Sequence, residues 1–178
     1  MSGYYIYLIS SLPMLHFGNP PPFSFERLIQ MCEGIISVED INILKITAKG
    51  MDYAYDGSQP TLKKWFVFEV ALRNELVKIR ASRKHMDPQR YLRLSDNTEP
   101  YISRIALAAS RIPSIIDAEM MLDQERWQQL EELSLGHFFD IDCLIIYGLK
   151  LLILERWDRI RTADKTRMLE ETLSKANN

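Results

Sequence analysis

From residue 61 to residue 84 the chain has no glycine and no proline, and Leu62, Trp65, Phe66, Leu72, Leu76 and Ile79 recur at helical spacing. That spacing makes a broad apolar stripe, which a helix in water must bury against neighbours. A second segment makes the demand stronger. "IDCLIIYGLKLLILERWDRI", residues 141–160, is apolar nearly all round, so as a helix it belongs at the centre of a core. No βαβ alternation and no strict short repeat appears elsewhere in the chain. The expected fold class is all-α, with six to eight helices in an irregular bundle and an extended Pro-rich N-terminal segment.

Punctuation residues divide the remainder. Residues 4–12 are aromatic and β-branched enough for a strand, yet Tyr4, Leu8 and Leu12 share one helical face, and both readings stay open. Pro13 ends this element. Residues 18–23 are extended, since each proline drives its predecessor toward polyproline II geometry; Leu12, Leu15, Phe17 and Phe23 are the expected anchors of this connector. Ser24 caps a short helix to about Cys32, and Ser37 caps a second, with Asp40 at the capping-box position and Gly50 as its stop. Residues 51–60 form a turn-rich loop, and Asp87-Pro88 opens a short helix carrying Tyr91 and Leu92. After the polar break "LSDNTEP", a helix covers 101–110 and Pro113 interrupts it. Ser114 then caps a long helix, with Ile116, Met120, Trp127 and Leu130 on one side and Gly136 at its end. Asp140 caps the apolar helix, and Thr162 starts a final short one holding Met168, Leu169 and Leu173. At 178 residues the chain reads as a single helical domain, 1–178, with any subdivision near 95–99.

Composition narrows the function classes. Hydrophobic residues at 47% and charged residues at 26% are those of a globular chain, and a net charge of −2 provides no global field for nucleic acid or an anionic membrane. Cys32 and Cys143 form no CxxC pair and are expected to be reduced. The apolar run at 143–154 is interrupted by Lys150 and falls short of the ~20 residues that a membrane span needs. The first residues lack the basic start of a secretory signal, so the expected location is cytoplasmic.

A search for chemistry finds no phosphate loop and no GxSxG elbow. His16, His85 and His137 stand apart without metal-ligand spacing, so no metal, no cofactor and no enzymatic activity is expected. Glu119, Asp123 and Glu125 cluster on one helix beside Arg126; without Glu-x-x-His motifs they read as a solvated face. Glu69 and Arg73 are spaced for a surface ion pair. The stretch "KIRASRKHMDPQRYLR" gathers Lys78, Arg80, Arg83, Lys84, Arg90 and Arg93 around Tyr91; with Arg73 these are the candidate partner-binding residues. An acidic protein surface is the preferred partner for them, and nucleic acid, bound as a helical module through 78–93, is the alternative.

The blocks "YYIYLISSLPML", "FG" and "PPPFS" within 4–24, "WFVFEVALRNELVKIRASR" at 65–83, "DPQRYLR" at 87–93 and "LKLLILERW" at 149–157 resemble a bacterial family encoded with V/A-type ATPase subunits. Its members look like shortened relatives of the V-type ATPase adaptor known as C (d in eukaryotes), an all-helical part between the rotating central stalk and the membrane rotor ring. The resemblance implies a non-catalytic component or assembly factor of that rotary ATPase, with stalk or rotor subunits as partners. It also implies a place at the inner membrane reached only through the complex. This chain is markedly shorter than the usual adaptor, which points to an assembly factor or a partial replacement.

Overall fold

The computed structural model describes residues 3–48, 59–93 and 99–176. Among them are seven α-helices and one 3-10 turn and no strand, so the chain is all-α. Packing groups the chain into two compact units, Met1–Ala48 with Phe138–Asn178, and Lys49–His137. The expected stop at Gly50, the loop at 51–58 and most of the polar break, residues 94–98, lie outside the described residues.

In the first unit, the open question at the N-terminus is answered by a helix, α1 (Gly3–Ser11). Then come α2 (Phe25–Cys32), α3 (Val38–Ala48) and α7 (Ile141–Ala176), with α7 packing against all three. Consecutive residues Leu144, Ile145 and Ile146 of α7 are all buried, as are Leu149, Leu151, Leu154 and Trp157, which is the surrounded helix that its all-round apolarity requires. The caps expected at Ser24, Ser37 and Asp140 form. Ser24 Oγ accepts from Arg27 N at 3.1 Å, and Asp140 Oδ1 accepts from Cys143 N at 2.8 Å. Ser37 Oγ accepts from Asp40 N at 3.1 Å and donates to Asp40 Oδ2 at 2.8 Å, so aspartate and serine hold the first turn of α3 together. The same Asp40 oxygen accepts from Tyr5 Oη at 2.6 Å, which ties α1 to that turn.

The proline segment is fastened along α7. Tyr147 Oη donates to the Pro13 carbonyl at 3.0 Å, Phe23 stacks on the Tyr147 ring at 6.2 Å, and Arg161 donates to the Gly18 carbonyl at 2.8 Å. Gly18 has φ +85°, a backbone that an L side chain resists, in a turn closed by Asn19 N on the His16 carbonyl. The four expected anchors, Leu12, Leu15, Phe17 and Phe23, are half-buried rather than inserted. At the far end of the connector, Glu155 Oε1 accepts from Phe25 N at 2.8 Å, placing a carboxylate at the positive end of α2.

One expectation fails in this unit. Thr162 does not start a new helix; α7 runs unbroken from Ile141 to Ala176, and Thr166 donates its hydroxyl to the Thr162 carbonyl at 3.0 Å inside it. A threonine signals a helix start only where something stops the preceding helix, and no glycine or proline follows Gly148. The side chains of Met168, Leu169 and Leu173 lie outside the described residues.

In the second unit, α4 (Pro60–Arg83) is followed by the 3-10 turn Pro88–Tyr91, then α5 (Pro100–Arg111) and α6 (Ile115–Leu133). Ser103 of α5 bonds Glu75 of α4, and further along both helices Arg83 bonds the Ser110 carbonyl, so α4 and α5 run parallel. Tyr101 meets Gln129 near the end of α6, while Ala109 and Ala118 share a groove near its start; α6 is therefore antiparallel to α5. A parallel pair requires the chain to travel back between its members. Buried Asn74 guides the return, its carboxamide oxygen accepting from Arg93 N at 3.0 Å and its nitrogen donating to Arg93 O at 2.8 Å. Leu62, Trp65, Phe68 and Leu72 of α4, Ile102 and Ile105 of α5 and Leu130 of α6 are buried in this unit, as are small Ala71, Ala106 and Ala109.

Two charged residues read as surface groups are instead inside. Glu69 is 3% exposed and Asp123 1% exposed. Arg126 donates Nε to Glu69 Oε1 and an η nitrogen to Asp123 Oδ1, both at 2.8 Å. The Glu69–Arg73 surface pair and the solvated Asp123 face are thus both corrected by one three-membered ionic cluster between α4 and α6. Burial alone would lower the pKa of the guanidinium, but Glu69, then Asp123, outweigh it and hold it above the ordinary value. The α6 stripe is corrected too: Trp127 and Leu130 are buried with Leu122, whereas Ile116 and Met120 are exposed.

Three experiments check this packing. A Cβ on Gly148 would stand 2.9 Å from Cε2 of the buried Phe25 ring, so Gly148→Ala should lose about 1–2 kcal/mol by chemical denaturation despite its better helix propensity. Arg126→Met strands two buried carboxylates and should cost about 3–5 kcal/mol, whereas Arg126→Met with Glu69→Leu and Asp123→Leu should recover most of it. In the first unit, burial pushes the Cys32 thiol to about 11 and Tyr147 to about 12, and burial with the Asp40 contact raises Tyr5 further. Groups with raised folded pKa values stabilise below their unfolded pKa, so denaturation midpoints should hold up to about pH 9 and fall steadily above it. Tyr5→Phe should blunt that fall.

Candidate docking site

The second unit carries its distinctive surface at the end where α4 and α5 finish and α6 begins. Helix α4 ends in a tight reversal. Lys84 is its C-cap, Met86 N donates to Ala81 O at 2.9 Å and His85 N to Ser82 O at 3.2 Å. This is the bond pattern of a left-handed helix stop, and His85 stands in it with φ 52° where glycine is usual. The stop leaves the last turn of α4 facing α6, whose own start is fixed by Ser114 Oγ accepting from Asp117 N at 3.2 Å.

Between these ends lies a groove of approximately 170 Å³. Ile79, Ala109, Ala118 and Leu122 line it with apolar atoms, and Arg80 and Arg83 stand on its α4 side. A second depression, approximately 450 Å³, shares Ile79, Arg83 and Ser110 with the groove and adds Lys78, Leu107 and Arg111. Ile115, another lining residue, is 81% exposed, and Leu107 is 43% exposed. Large apolar side chains held open beside cations form a surface suited to another protein.

The seven candidate residues do not stay together. Arg80 and Arg83 enter the groove, with Arg83 also held by the Ser110 carbonyl. Lys78 joins the depression and is bridged to Glu75 at 2.6 Å; the other Glu75 oxygen accepts from Ser103 at 2.8 Å. Burial would raise the Glu75 pKa, but the Lys78 and Ser103 bonds outweigh it and lower that carboxyl. Lys84 and Arg90 are exposed beyond the end of α4. Arg73 is half-buried at mid-helix, and Arg93 is half-buried where Asn74 grips its backbone. The residues absent from the sequence reading are Arg111 and the apolar lining, above all Ile115, whose exposure no periodicity reveals. Of the histidines, His85 stands in the α4 stop, His16 is exposed and His137 is half-buried.

The opposite end of the unit holds a cleft of approximately 550 Å³ between the starts of α4 and α5 and the end of α6. Its rim mixes Lys63 and Lys64 with Glu99 and Glu132, and Tyr101 donates to Gln129 Oε1 at 2.7 Å inside it. Burial, then Glu99, Glu132 and Glu125, raise the Tyr101 pKa, so this phenol is a hydrogen-bond donor rather than a base. With both signs interleaved, the cleft selects neither an anion nor a cation.

Among known proteins, one family model matches, described as "Protein of unknown function (DUF2764)", over residues 100–174. The match covers α5, α6 and most of α7, under half of the 178 residues, and includes the "LKLLILERW" block but none of the earlier ones. No curated protein and no solved structure matches the chain.

Proposed function

We propose that this chain is a non-catalytic component or assembly factor of a bacterial V/A-type rotary ATPase, working through protein–protein contacts with central-stalk or rotor subunits. The observation that carries the reading is the cation-flanked apolar groove at the α4–α6 end, a surface built to meet another protein. The order of the sequence blocks that resemble the ATPase-associated family supplies the identity of the assembly. The fold supports a mechanical role. Several of its helices are capped, and it is internally cross-linked by Asn74 across the return segment and by Arg126 between α4 and α6; a part that holds or hands on a neighbour needs such stiffness. No helix among the described residues is long and apolar enough to cross a membrane, so contact with a rotor would run through partner subunits.

The apolar lining favours a protein over a nucleic acid as the occupant, because phosphates would engage Arg80 and Arg83 while leaving Ile79 and Ile115 in water. The test is affinity purification of the tagged chain from its native cells. Stalk or rotor subunits should co-elute, and Arg80→Glu with Arg83→Glu should remove them without changing the far-UV circular dichroism. Eluates free of ATPase subunits would overturn the proposal.

A further inference from the structure

The groove at the α4–α6 end also constrains the shape and charge of its occupant. We propose that it seats an amphipathic α-helix of a partner protein, one whose apolar ridge is flanked by carboxylates. This rests on reading that end as a docking surface and adds the chemistry of the partner; the rotary ATPase itself is not required for it.

Shape comes first. The lining residues Ala109 and Ala118 are small, so the helices of the unit leave a narrow channel there, floored by buried Leu122. A groove of approximately 170 Å³ has room for a few side chains, which a helix presents in file along its i, i+3/i+4, i+7 ridge. The adjoining depression abuts the groove at Ile79, Arg83 and Ser110, and the two together are the track proposed for the helix. A flat partner surface would bridge the channel without filling it. Exposed Ile115 and Leu107 stand at the edges of this track, where a bound helix would cover them.

Charge then selects among helices. Arg80, Arg83 and Arg111 border the track, and Lys78 lies beside them in its bridge to Glu75. The opposing charge in the lining is a single carboxylate, Glu119 of α6. The balance is positive on the α4 and α5 sides, so carboxylates on a partner helix would meet guanidinium groups able to bind them through paired hydrogen bonds. Lysines at the same positions would be repelled there, which gives the groove discrimination as well as attraction.

The experiment is selection of a displayed library of helical peptides about 18 residues long, long enough for a ridge of several side chains, on the intact full chain. Enriched peptides should combine apolar residues at i, i+3/i+4 and i+7 with flanking Asp or Glu. Binding of a selected peptide should weaken at least about tenfold with Arg80→Gln plus Arg83→Gln, and similarly with Ile115→Glu. Ile115 is so exposed that its replacement removes little packing, and unchanged circular dichroism would verify the fold. Enrichment of basic or uncharged ridges, or binding indifferent to both variants, would overturn the proposal. So would co-sedimentation with phosphatidylglycerol vesicles that is lost in the arginine variant, since the cations would then serve a lipid surface. Acidic-helix selection combined with eluates free of ATPase subunits would leave this inference standing and remove the rotary-ATPase reading alone.

Discussion

The guanidinium of Arg126 lies between two carboxylates that the protein has taken almost wholly out of water, Glu69 on α4 and Asp123 on α6. Either carboxylate alone at that depth would cost several kcal/mol, so the three groups are tolerable only as a set. Their geometry fixes how far α6 can slide along α4. That register decides which residues of α6 stand opposite the last turns of α4, and so determines the width and lining of the groove between Ile79 and Leu122. A polar cluster contributes little net stability compared with a well-packed apolar one, but it penalises every misaligned arrangement. The docking end of the unit inherits its shape from that penalty.

What can be read from the sequence here is what is decided within a few residues. Ser24, Ser37, Ser114, Asp87 and Asp140 all receive the backbone donors that their positions imply, because a cap is settled within a single turn. The all-round apolarity of α7 likewise demanded burial on every side before any neighbour was known. The readings that failed depend on distant residues. Glu69 has Arg73 one helical turn away, yet its partner is fifty-seven positions on, and nothing local distinguishes a carboxylate that turns inward. Thr162 carries a cap residue's side chain but no break before it, so the helix continued. The strand-or-helix ambiguity at the N-terminus belonged to the same class, because the tether from Tyr5 to Asp40 comes from outside the segment.

The candidate docking site was legible by half. A run of cations near the end of a long helix is visible in the sequence at once, and Arg80 and Arg83 do border the groove. Which cations remain available depends on pairings such as Lys78 with Glu75 and on the return path that takes Arg93 to Asn74. The apolar component was hidden for a different reason. Ile115 and Ile116 look like core residues by composition, and nothing local in the sequence marks them as exposed.

The first unit is sewn together from the two ends of the chain, residues up to Ala48 and residues from Phe138, with the whole second unit spliced between them. A ribosome makes these parts in strict order. Helices α1 to α3 emerge early, but the helix that covers Leu28, Cys32 and Leu44 is made only after the whole second unit. The second unit has its last helix complete at Leu133, just before α7 begins at Ile141, and can close while still tethered. From the end of α3 until α7 is made, growing chains therefore carry the apolar faces of the first helices without their cover. That interval is when a holding chaperone has the most to grip.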